Sequence, residues 1–199
     1  MYMLRSLTKP VLVLAILYYG TMLSRPAVAQ VSGAPFTNSN RTAKFACVGE
    51  AAIRGSNNEL TITGQCSSLD LASSNNKITV TLDCDGGRAA IGGANNALTI
   101  TGKCSDINVT GANNRITGTL DCDGGKAAIG GSNNEVTITG KCSTLDLGGS
   151  VNKVTIDLGQ AATVNISGAV NAIFWSSTDG KPPTINDVGS VNKLTQRVQ

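Results

Sequence analysis

The chain has no histidine. The commonest general base and the commonest transition-metal ligand are therefore both missing. Aromatics make up 4% of the residues, and the three tyrosines, Tyr2, Tyr18 and Tyr19, all fall near the N-terminus. Phe36, Phe45, Phe174 and Trp175 are the other aromatic residues. So few large rings make an ordinary globular core hard to build. No C-x-x-C pair occurs among the six cysteines, which disfavours redox catalysis. Long hydrophobic runs are absent after the first residues, so no later stretch is expected to span a membrane.

The one apolar run, Val11 to Leu23, follows Arg5 and Lys9 and precedes Pro26 and the triplet Ala27-Val28-Ala29. That is the pattern of a secretory signal peptide, expected to occupy residues 1–29. An uncleaved anchor is the competing reading, but the run is shorter than the roughly 20 residues a spanning helix needs. Removing the segment also removes the excess charge. Of 16 basic residues, Arg5, Lys9 and Arg25 leave, so 13 remain against 13 acidic ones. A neutral chain offers no electrostatic footprint for nucleic acid. The expected location is exported: bacterial periplasm, cell surface or secreted.

What is present is a repeat. Gly55–Cys66 reads GSNNELTITGQC, and close copies return at Gly93–Cys104 and Gly131–Cys142. The second Asn of each block falls at Asn58, Asn76, Asn96, Asn114, Asn134, Asn152, Asn171 and Asn192, in steps of 18, 20, 18, 20, 18, 19 and 21 residues. Within each unit the residues alternate. Leu60, Ile62 and Cys66 share one parity, and Thr61 and Thr63 the other. Period two means half-buried strand, and the Gly and Asn clusters punctuate the strands as turns. Units this short cannot bury an apolar face alone; stacked as coils, they can. The expected fold is all-β, a parallel β-solenoid of about seven to eight coils with 18–20 residues per coil. The repeat domain is expected over residues 45–199, after a polar, flexible lead-in at 30–44, with a C-terminal cap around 172–199. There Phe174 and Trp175 are expected to cover the open core.

The Gly-Ser-Asn-Asn-x-Val-Thr-Ile-Thr-Gly units resemble a bacterial family of exported repeat proteins, the domain-of-unknown-function family three thousand and sixty. The resemblance covers roughly residues 45–195. It implies an exported β-solenoid and brings no established activity or catalytic residues.

Three columns of residues are candidates for a role. The second Asn has inward parity and never changes, while the first becomes Val151, Val170 and Val191 in the last three units. Stacked Asn side chains bond to each other and to buried turn backbone, so Asn58 through Asn192 are expected to form a structural ladder. Cys66, Cys84, Cys104, Cys122 and Cys142 lie eight residues after their markers, and Cys47 belongs to the preceding coil. Six cysteines are thus expected in one inward column. The doubled repeat favours Cys47–Cys66, Cys84–Cys104 and Cys122–Cys142; a buried column of free thiols is the alternative. A linear column does not offer tetrahedral sulfur, so no metal is expected there.

The third column is outward. Thr61 and Thr63, Thr79 and Thr81, Thr99 and Thr101, Thr117 and Thr119, and Thr137 and Thr139 recur at fixed offsets. Five coils would then carry a Thr-x-Thr grid, about 7 Å along each strand and about 4.8 Å between coils. Such a grid suits ice or a regular polymer such as a glycan. Threonine is also an ordinary residue for a wet strand face. The neighbouring column, Glu59, Lys77, Ala97, Arg115, Glu135 and Lys153, alternates in sign as cross-coil pairs would, and crowds an ice plane. Asp83, Asp85, Asp121 and Asp123 near Gly turns raise calcium, but alternate coils lie about 9.6 Å apart, too far for one shared ion. A polysaccharide-cleaving site would need acids and a base under long side loops, which the spacing does not provide. The expectation is a non-enzymatic scaffold or surface-binding protein without cofactor, whose partner (glycan, cell surface or ice) the sequence leaves open.

Overall fold

A computed structural model describes residues 29–31, 35–122 and 124–198. The expected signal segment lies outside the described residues except for Ala29. Residues 32–34 of the expected lead-in and Asp123 lie outside them as well. Twelve strands, all paired in parallel, form one sheet wound into a solenoid of about eight turns, with no helix among the described residues.

The strands follow the turns. β1 (Ala29–Val31) lies along β2 (Thr42–Ile53), the first long turn. Then come β3 (Glu59–Ala72), β4 (Lys77–Gly92) and β5 (Ala97–Val109), one per turn. The next turn is split into β6 (Arg115–Asp121) and β7 (Lys126–Ile129). β8 (Glu135–Leu147) and β9 (Lys153–Ile166) follow, then β10 (Ala172–Ser177) with β11 (Thr184–Asp187), and finally the half turn β12 (Lys193–Gln196). Each full turn runs out along one face, bends at a corner, marked by a cysteine in the turns up to β8, and returns along a second face to the Asn turn.

Alternation decides what is inside. On the first face Leu60, Ile78, Leu98, Ile116, Val136, Val154 and Ile173 stack in one column, each opposite the next. On the return face Ile53, Leu71, Ile91, Val109, Ile129, Leu147 and Ile166 do the same. All are essentially inaccessible to solvent. Burying such a side chain stabilises by about 1.5–3 kcal/mol. No single turn can achieve that burial, because each covers the next.

At the Asn turn the long strands give way to isolated parallel bridges, such as Ala94 with Ala112, and the ladder adds to them. The backbone N–H of Asn58 donates to Asn76 Oδ1 at 3.0 Å, that of Asn76 to Asn96 Oδ1 at 3.0 Å, and that of Asn96 to Asn114 Oδ1 at 3.0 Å. The pattern continues through Asn134, Asn152 and Asn171 to Asn192. Each amide group also donates, Asn96 Nδ2 to the Ser73 carbonyl at 2.8 Å and to Asn114 Oδ1 at 3.0 Å. At the N-terminal end Arg41 takes the marker position and its N–H donates to Asn58 Oδ1 at 2.9 Å. At the other end Asn192 Nδ2 donates to Asp187 Oδ1 at 3.0 Å, which terminates the column.

The cysteines form three disulfides in the register of the doubled repeat: Cys47–Cys66, Cys84–Cys104 and Cys122–Cys142, with Cα separations of 5.3, 4.6 and 4.9 Å. They do not make the unbroken column expected. Cys66 lies opposite Leu82 and Cys142 opposite Leu158, because the register shifts at this corner. The cause is length. The 20-residue turns carry Asp-Cys-Asp-Gly-Gly here, whereas the 18-residue turns carry Gly-x-Cys. Gly102, at φ 119°, lets the shorter corner bend; a Cβ there would overlap the Leu82 carbonyl.

Two expectations about the ends need correction. The solenoid begins before residue 45: Phe36 bridges to Ile53, stacks on the buried Phe45 ring at 5.8 Å, and Asn40 already adopts the turn conformation at φ 57°. The lead-in is thus partly the first coil, its marker disguised as Arg41. At the C-terminal end Trp175 is buried opposite Ile156 and fills the core. Phe174 does not cover the core. Its parity is outward, between Thr155 and Thr195.

Replacing Asn114 by Ala should strand the buried Asn96 N–H, which donates to Asn114 Oδ1, at about 1–3 kcal/mol. Denaturant unfolding should report that loss, and an unchanged midpoint would refute the ladder's role. Non-reducing peptide mapping should recover the three named pairs, and the Cys122→Ser/Cys142→Ser double variant should lose about 3 kcal/mol. Alkylation of all six thiols without reductant would contradict the bridges.

Candidate functional site: the threonine face and the turn edge

The first face carries three outward columns. The one nearest the Asn turn holds the charges. Lys77 Nζ lies 2.8 Å from Glu59 Oε1, and Glu135 receives Arg115 at 3.6 Å and Lys153 at 3.0 Å. The sign alternation read from the sequence is therefore cross-coil pairing. Hydrogen bonding and charge attraction from Lys153, aided by Arg115, hold the Glu135 carboxyl below the usual range. The Glu59 partnership, led by its hydrogen bond, raises Lys77.

The threonine columns lie beyond. Thr61, Thr79, Thr99 and Thr117 stand directly opposite one another, as do Thr81, Thr101 and Thr119. The five-coil grid expected is interrupted, however. After Ile116 the pairing of β6 with β8 ends, and Gly118 occupies the column where Val80, Ile100 and Ile138 supply inward branched side chains. Its φ of 136° is open to glycine. Thr137 resumes opposite Thr155 rather than continuing an unbroken ladder. Thr63 and Thr81 straddle a register shift, so the second column is less regular than the first. Some hydroxyls are already engaged. Thr63 Oγ1 donates to the Phe45 carbonyl at 3.3 Å, Thr117 Oγ1 to that of Leu98 at 3.4 Å, and Thr81 and Thr101 share a bond at 3.2 Å. Thr79, Thr81, Thr99, Thr101, Thr119 and Thr139 are exposed, while Thr61, Thr63, Thr117 and Thr137 are half-buried.

The return face is held together in the same way. Arg54 pairs with Asp70 at 2.5 Å, Arg88 with Asp106 at 3.6 Å, and Lys126 with Asp146. Asn165 donates to Asp146 and Asn186 to Asn165, at 2.7 and 2.9 Å. Asp146 is held below the carboxylate range first by the Asn165 bond and then by Lys126. Among the described residues no three His, Cys, Asp or Glu side chains gather as metal ligands. Asp121 Oδ1 accepts the Lys141 N–H at 3.2 Å; Asp123 lies outside the described residues.

The turn edge holds a feature that parity alone did not reveal. The first Asn of each marker pair adopts the left-handed conformation: Asn57, Asn75, Asn95, Asn113 and Asn133 lie at φ 55–58°. Asn visits this region readily. Their amides bond in pairs across coils, Asn57 to Asn40, Asn95 to Asn75, and Asn133 to Asn113. Val151, Val170 and Val191 hold the same conformation at φ 60, 58 and 56°. A β-branched residue there is a true outlier, strained by about 1–2 kcal/mol. The signal was visible in the sequence as the Asn→Val exchange; its conformational cost was not.

Fold and faces together define a disulfide-braced parallel β-solenoid repeat protein. A protein-family model described as "Protein of unknown function (DUF3060)" matches residues 53–82, 91–119 and 129–191, and the chain belongs to that family. The two gaps in the match fall on the Asp-Cys-Asp-Gly-Gly corners, where turn length changes. No curated protein and no solved structure matches the chain.

The carboxylate shifts fix the acid behaviour. A carboxyl lowered by folding contributes stability above its unfolded value and loses it as pH falls through the folded one. Thermal stability should therefore decline below about pH 4, and Glu135→Gln with Asp146→Asn should flatten that limb. Because both groups are still more than a third exposed, the change should be small and shrink in high salt; a wild-type acid limb retained in the double variant would refute it.

Proposed function

We propose that the chain is an exported, non-enzymatic scaffold that lies against an extended surface or polymer. The observation that carries this reading is the employment of its charged groups. Ion pairs between coils engage Glu59, Lys77, Arg88, Asp106, Arg115, Glu135, Lys126, Asp146 and Lys153. Beyond these paired charges, the first face presents columns of threonine, small polar side chains set on a hydrogen-bonded sheet. Three disulfides fit an oxidising environment, in keeping with the export pattern of residues 1–29.

A sharper version places the contact on the threonine face and makes the partner a glycan. Thr79, Thr81, Thr99 and Thr101 are exposed and directly opposed in two adjacent turns. Ice is the weaker fit. The in-register array ends at Gly118, and the Glu59–Lys77 and Arg115–Glu135–Lys153 pairs stand beside it. A glycan tolerates such a rim, because its hydroxyls hydrogen-bond to charged as well as to neutral partners.

Polysaccharide pull-down and thermal hysteresis should be measured on the wild type and on Thr99→Lys/Thr101→Tyr. Wild-type glycan retention that the double variant loses, with its thermal midpoint kept, supports the threonine face. Absence of wild-type binding, or its survival in the variant, removes that face from consideration.

A further inference from the structure

The first coil opens where the export pattern of residues 1–29 ends. β1 starts at Ala29, the last residue of the small triplet, and pairs in parallel with β2: Ala29 with Phe45, Gln30 with Ala46 and Val31 with Cys47. Phe36 then bridges to Ile53 on the return face, and Asn40 takes the left-handed turn conformation. Gln30 is therefore the first residue of this coil beyond the triplet, at a register position fixed by strand pairing. Cutting after Ala27-Val28-Ala29 makes it the N-terminal residue.

An N-terminal glutamine holds both partners of a ring closure. Its α-amine is a nucleophile, and its own side-chain amide carbon lies at the reach that closes a γ-lactam. Every other glutamine of the chain has its α-nitrogen committed to a peptide bond.

We propose that the mature chain begins with pyroglutamate at position 30. The inference rests on the export reading, since only cleavage after Ala29 frees the amine. In the step, the Gln30 α-nitrogen attacks its own Cδ. A bond forms between that nitrogen and Cδ, and the bond from Cδ to Nε2 breaks. Nε2 takes up a proton lost by the α-nitrogen and leaves as ammonia. Nothing is oxidised or reduced, and no co-reactant is consumed.

The position gives the ring a use. A free α-ammonium carries a full positive charge at neutral pH, and here it would stand at the opening of the outermost strand of the sheet. The lactam is neutral and keeps one N–H, so the start of β1 offers a strand donor in place of a charge. The ring also removes the primary amine that an aminopeptidase must hold. Chain ends are where trimming begins, and loss of β1 would uncover the stretch of β2 that carries the buried Phe45 and Cys47.

The full-length chain should be produced in an exporting bacterium, and the exported protein read by intact mass and by mass spectrometry of its N-terminal peptide. The wild type should start at residue 30 and be lighter, by one ammonia, than an uncyclised chain with the same three disulfides. Stepwise N-terminal degradation should release no residue from it. Gln30→Ser should be cut at the same bond, keep its amine, and be trimmed by an aminopeptidase that leaves the wild type intact. A wild type that starts at Gln30 with amine and amide both present overturns the proposal and leaves the export reading standing. A chain cut at another bond likewise overturns the proposal alone, and one that keeps residues 1–29 removes the export reading with it.

Discussion

One geometric constraint governs this molecule: each turn must lie on the next in parallel, at the single spacing a backbone hydrogen bond allows. Strand pairing meets it along the two faces and only through isolated bridges at the Asn turn. There the buried Asn column takes over, its oxygen accepting the backbone N–H of the turn before and its amide satisfying turn carbonyls. Remove the column and the turn would bury unpaired polar groups in every coil. The invariance of the second Asn within the repeat follows directly. The first lies outside that column and is exposed, so it is Asn in the earlier turns and Val in the last three.

The same constraint pushes variation to one place. A turn may gain two residues only where they do not disturb the stacked columns, and that place is the corner by the cysteines. Register shifts, the short Gly bends and the Asp-Cys-Asp-Gly-Gly insertions all collect there. The disulfides sit at this least regular part of the cross-section, where ladder bonds are interrupted and a covalent tie substitutes for them. Opposite it, the Asn edge is uniform in backbone and varies only in side chain.

Much of this was legible from alternation and spacing. The marker Asn residues, the inward Leu and Ile columns, the sign pattern of Glu59, Lys77, Arg115, Glu135 and Lys153, and the pairing of the cysteines were all readable, because a stacked repeat turns sequence offset into spatial position. What escaped has physical reasons. The first coil was hidden because Arg41 replaces its marker Asn, and a backbone N–H suffices there. The opposite directions of Phe174 and Trp175 were available from parity, but composition drew both towards the core. The break at Gly118 depends on how a missing inward side chain lets a strand leave its neighbour, which no period records. The chemistry of the threonine face was legible only as geometry, since hydroxyls on a wet strand serve solvent and ligand alike.

The disulfides divide the rod into modules. Each bridge joins the two turns of one block, at Cys47–Cys66, Cys84–Cys104 and Cys122–Cys142, and none crosses from one block to the next. A block can therefore be added or deleted without leaving an orphan thiol, and the short and long turns remain in alternation. The rod can change reach in fixed increments of about 9.6 Å, two coil spacings at a time, while its ends and its cross-section stay the same. Length in such a protein behaves as a quantised property, adjustable like the rungs of an extension ladder and independent of whatever its faces touch.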